Sequence, residues 1–109
     1  MKDRVYKLKS RLQYVFERQF LNYSIYKNNE QTDDLVLNFH KRKYWTNMAN
    51  QSGVPPKIIR IPYVVLQQVS SMGPFKDAIA IDIIVRYIIL MLEKDSRADI
   101  AVPDDLYAI

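Results

Sequence analysis

A run of fifteen residues, Ala78 to Leu92, broken only by Asp82 and Arg86, constrains the fold more than any other feature of this chain. It is shorter than the ~20 residues a bilayer crossing requires, and both charges would sit near its middle, so no membrane span is expected. Gly73-Pro74 supplies a helix start, and the segment predicts a helix from Pro74 to about Lys94. Asp82 precedes Arg86 by four residues, the spacing of a helical ion pair. The isoleucines also suit a buried strand over 78–85. As a helix, the segment is apolar all round apart from that pair, and such a helix must be covered on several sides. A chain of 109 residues offers few covering elements. A second copy is the natural remaining cover, with Ile81, Ile84, Val85, Ile88, Ile89 and Leu92 as the expected homodimer interface.

Composition removes several chemistries. There is no cysteine, one histidine and two glycines, so disulfides, thiolate metal sites, thiol nucleophiles and glycine-rich phosphate loops are not expected. His40 has no serine or cysteine partner at a recognised spacing. Asp33-Asp34 and Asp104-Asp105 lack the histidine or glutamate of a metal-ligand pattern. The expectation is no enzyme, no catalytic residues, no metal, no cofactor and no small-molecule substrate. No signal-peptide-length apolar run follows the basic N-terminus, and the sequence reads as a cytoplasmic protein.

Charge is divided unevenly. Residues 1–60 hold twelve Lys and Arg against five Asp and Glu, a net of +7, while residues 61–109 hold four against seven, a net of −3. Such a field draws a polyanion to one part of the surface, and nucleic acid is the commonest one. The plain alternative is a solvated basic face with an acidic tail. Val5, Leu8, Leu12, Val15 and Phe16 fall at helical spacing, predicting a helix from Asp3 to about Tyr26. Lys7, Arg11 and Arg18 share another face, with Tyr14 beside them. After the polar stretch 27–31, Thr32-Asp33-Asp34 can cap a helix, but Leu35, Val36, Leu37 and Phe39 fit a short strand almost as well. The cluster His40-Lys41-Arg42-Lys43 then runs into Tyr44-Trp45. Cations beside flat rings suit phosphates and unstacked bases, although a core tryptophan beside a solvated cluster explains the same residues.

Two nucleic-acid-binding patterns fit the next stretch. Met48-Ala49-Asn50-Gln51-Ser52-Gly53-Val54, with Ile59 beyond, resembles a helix-turn-helix over residues 45–62. The resemblance implies a recognition helix from Pro55, with Lys57 and Arg60 reaching the groove or backbone. Lys57-Ile-Ile-Arg60-Ile61-Pro62 instead resembles the strand of the ribbon-helix-helix superfamily of the MetJ and Arc repressors. Val65, Leu66, Val69 and Met72 match the first helix of that family, Gly73 its inter-helix glycine, and Ile79, Ala80, Ile83, Ile84, Tyr87 and Ile88 its second helix. This resemblance spans residues 56–93 and implies a DNA-binding dimer. A turn followed by core helices meets both patterns equally well.

The sequence thus predicts a mainly α, single-domain helical protein, with one short strand near 57–61 and an acidic tail over 95–109 that stays loose or weakly docked. The expected function is that of a small dimeric DNA-binding protein, a transcriptional regulator or a plasmid or phage accessory protein. Its nucleic-acid contacts would be Lys7, Arg11, Arg18, Lys41, Arg42, Lys43, Lys57 and Arg60. RNA is a further candidate partner, favoured if Tyr14, Tyr44 and Trp45 are exposed for stacking. The competing reading is a structural or adaptor subunit of a larger assembly, with no nucleic-acid contact of its own.

Overall fold

The computed structural model describes residues 2–42, 55–94 and 99–107. In chain order these form α1 (Lys2–Gln19), β1 (Tyr23–Lys27), β2 (Leu35–Lys41), β3 (Lys57–Ile61), α2 (Tyr63–Ser70), α3 (Pro74–Lys94) and β4 (Asp99–Ala101). The four strands make one mixed sheet in the order β1-β2-β3-β4, antiparallel except for the parallel pair β3–β4. The expected mainly α, helical architecture is therefore corrected to α/β.

The correction begins at the end of α1. Phe20 N–H donates to the Phe16 carbonyl at 2.8 Å, and Tyr23 N–H to the Phe20 carbonyl at 3.1 Å. That turn ends the helix at Gln19, seven residues before the expected stop, and redirects the chain into β1. Tyr23 then lies opposite Lys41 and Ile25 opposite Phe39. The open choice at Leu35–Phe39 resolves as a strand. Leu35, Leu37 and Phe39 belong to the core cluster and Asn38 and His40 alternate with them half-buried, the period of two of a pleated strand, although Val36 on the other face is buried as well. The expected strand near 57–61 is β3, with Leu37 opposite Ile59 on one side and Ile100 opposite Ile59 on the other. Both edges of β3 are thereby occupied within the chain, and no edge is left for a strand from a second copy.

The described part of the acidic tail, residues 99–107, is docked rather than loose. Ile100 and Val102 are buried, and Tyr107 is fully buried, its hydroxyl donating to Gln68 Oε1 at 2.5 Å. No local pattern announces β4. Its three residues are held by pairing with a strand about forty positions earlier.

One core cluster joins the inner face of the sheet to all three helices: Val5, Leu8, Leu12 and Phe16 of α1, Val65, Leu66 and Val69 of α2, and Ala80, Ile81, Ile84, Val85 and Ile88 of α3. At its α1 end, Phe16, Phe20, Tyr23 and Phe39 pack edge-on or tilted, with ring centroids 5.5–6.2 Å apart. The sheet supplies the cover that an all-helical layout lacked. Of the six residues expected at a dimer interface, Ile81, Ile84, Val85 and Ile88 therefore lie in this chain's own core, Leu92 is half-buried and Ile89 is exposed. Among the described residues, no helix is long and apolar enough to cross a membrane.

Candidate nucleic-acid interface

α1 is amphipathic in a way that sorts its charges. At ~100° per residue, Arg4, Lys7, Arg11, Tyr14 and Arg18 fall within roughly 80° of arc, beside the stripe that enters the core. All five are exposed. From Arg4 to Arg18 the stripe runs about 21 Å along the axis. Tyr14 is 59% exposed, and the Arg18 guanidinium stands 5.6 Å from its ring centroid. This is cation–π geometry that holds both side chains on the surface. The spacing of Lys7, Arg11, Tyr14 and Arg18 made this face legible in the sequence. Arg4, three residues before Lys7, has the same spacing and belongs with them.

The N-terminal half of the stripe borders an open cleft of about 370 Å³. Arg4, Lys7, Leu8 and Arg11 come from α1, Ser70 from the end of α2, and Gly73 and Asp77 from the turn into α3. Gly73 has φ +88°, a left-handed conformation that closes the turn between the two helices and that only glycine adopts without strain. The Arg11 guanidinium holds Asp77 Oδ2 at 2.9 Å, while Asp77 Oδ1 is buried without a hydrogen-bond partner. Arg11 is thus the group that keeps this carboxylate paired. Asp77 lies sixty-six residues from Arg11, and no local spacing could have paired them.

The remaining expected contacts separate into two groups. Lys41 and Arg42 sit at one corner of the sheet and are exposed. The Arg42 N–H donates to the Asn22 carbonyl at 2.8 Å and its Nε to Ser24 Oγ at 3.1 Å, so that residue is anchored across β1. Beside it, Tyr26 and His40 meet edge to face at 5.5 Å on the sheet face opposite the core. Lys57 and Arg60 are engaged by partners within the chain. Lys57 Nζ donates to the Leu92 carbonyl at 3.4 Å. Arg60 donates to both Glu30 carboxylate oxygens at 3.0 Å and to Asp34 Oδ2 at 3.4 Å. The hydrogen bonds it donates to Glu30 lead the influences that raise the Arg60 pKa above its ordinary value, and they favour the charged guanidinium. Lys43, Tyr44, Trp45 and most of the helix-turn-helix pattern lie outside the described residues.

Among the described residues, no group of histidine, aspartate and glutamate could hold a metal ion. No family model, curated protein or solved structure matches this chain.

Proposed function

We propose that this protein binds DNA in the cytoplasm, gripping the phosphate backbone along the outer face of α1. The observation that carries the reading is the single exposed stripe of Arg4, Lys7, Arg11 and Arg18, with Tyr14 among them. Cations spaced along a helix neutralise successive phosphates and release their counterions, which supplies affinity without reading sequence. Base readout through Lys57 and Arg60 has no such support, because both are engaged within the chain. The reading is therefore one of sequence-independent backbone binding, and it needs no second copy.

The test is a fluorescence-anisotropy titration of duplex DNA at two salt concentrations. With Arg11 held by Asp77, the three remaining cations predict a log–log salt slope of roughly −2.7. Lys7→Ala and Arg18→Ala should each weaken binding alike on unrelated sequences and reduce that slope by about one. Absence of binding at low salt rejects the proposal. Single-stranded RNA belongs in the same titration, because exposed Tyr14 suits an unpaired base; tighter binding there would change the partner class. The reading as a subunit of a larger assembly draws on Ile79, Ile89 and Leu90, which α3 leaves exposed. It takes over if no nucleic acid binds.

A further inference from the structure

We infer that the cleft beside Arg4, Lys7 and Arg11 seats a terminal phosphate monoester, the end of a nucleic-acid strand rather than its interior. The inference rests on the reading above and makes it more specific. Arg4 and Lys7 form no ion pair among the described residues, whereas Arg11 is held by Asp77. The cleft therefore gathers three positive charges and one negative, a surplus of two. An internal phosphodiester carries a single negative charge and leaves half of that surplus unmatched. A phosphate monoester carries about −1.5 to −2 at neutral pH and presents three strong acceptor oxygens.

Size and placement agree with this assignment. The cleft, at about 370 Å³, lies within the range of small-ligand sites and accepts a phosphate together with its sugar. Leu8 and Gly73 add apolar wall, and Ser70 at the end of α2 completes the lining. Tyr14 and Arg18 continue from the cleft along α1, so a strand with its end seated there still reaches them.

The experiment compares three labelled twelve-nucleotide strands of one sequence: 5′-phosphorylated, 3′-phosphorylated and unphosphorylated. One phosphorylated form should bind about tenfold more tightly than the unphosphorylated strand. In Lys7→Ala and in the Arg4→Ala/Lys7→Ala double variant that advantage should disappear, while Arg18→Ala should weaken all three strands equally. Both altered side chains are exposed and unpaired, so the variants should retain the wild-type circular dichroism spectrum. Equal affinity of wild-type protein for all three strands overturns the inference and leaves backbone binding standing. If no strand binds, amide NMR spectra recorded with inorganic phosphate and with a nucleoside monophosphate decide the cleft separately. Shifts confined to Arg4, Lys7, Arg11, Ser70, Gly73 and Asp77 with either probe would retain a phosphate-monoester site in a protein that does not bind strands, with the free compound as its source. Unchanged spectra would overturn it.

Discussion

Asp34 uses its two carboxylate oxygens on different elements. Oδ1 accepts the Tyr63 N–H at 2.7 Å, capping the first turn of α2 from outside that helix, and Oδ2 accepts from Arg60 at 3.4 Å. Pro62, the N-cap residue itself, has no side chain able to do this. Arg60 joins Asp34 to Glu30, so three side chains tie the β1–β2 connection to the β3–α2 corner. Arg60→Ala should cost about 1 kcal/mol of stability and leave any DNA affinity within twofold, because these partners are partly exposed. Urea unfolding together with the anisotropy titration checks both halves, and a loss of affinity without a loss of stability would return Arg60 to the interface. The sequence displays Arg60 as a cation beside an isoleucine strand. Its acidic partners stand thirty and twenty-six positions away, where no spacing rule reaches, and this is why it read as a groove contact. Lys7, Arg11 and Arg18 could be grouped correctly because their relation is local and helical.

Among the elements, α3 shows how far periodicity carries. Its bounds follow from Gly73-Pro74 at one end and the loss of apolar residues at the other, and the helix runs from Pro74 to Lys94. Which of its apolar faces would be buried could not be read, because nearly every face qualified. The sheet decides it: Ile84 and Ile88 are fully buried, while Ile79 and Leu90 remain about half exposed. Ile84→Ala should therefore cost 2–5 kcal/mol, roughly the range for a large core side chain. Leu90→Gln should stay within about 0.5 kcal/mol. Thermal unfolding of both variants at several protein concentrations measures the contrast. If Leu90→Gln lowers the midpoint in a concentration-dependent way, a second molecule covers that face. β1 and β4 were illegible for the opposite reason. Tyr23 and Ile25 continue an α1-like apolar stripe as readily as they begin a strand, and Asp99–Ala101 is too short to show a period at all. Both become strands through pairing with distant residues, which outweighs local preference.

For the whole molecule, closure of the core depends on tyrosines that must stay neutral. Burial is the main cause raising the Tyr107 pKa above the ordinary phenol value, with Asp104 and Asp105 adding to it. Burial also raises that of Tyr23, with Glu93 second. A raised folded-state value stabilises the protein fully below about pH 10, where tyrosine in the unfolded chain is still protonated. The contribution is lost as pH climbs from there through the folded value. Urea midpoints should thus be flat through neutrality and fall above pH 10. Tyr107→Phe should lower the unfolding free energy at neutral pH by about 1 kcal/mol, through the lost Gln68 hydrogen bond, yet decline less on the alkaline side. An equally steep alkaline fall in that variant would place the sensitive group elsewhere. The sheet that these tyrosines help to close also has two outer strands, and another molecule wishing to extend it would have to begin at one of them. β4 offers three residues, the first of them the exposed Asp99, and β1 offers five that end in exposed Lys27. Purchase so short and so charged gives polymer growth a poor template, and the protein should stay dispersed at concentrations where a long bare edge would build fibres.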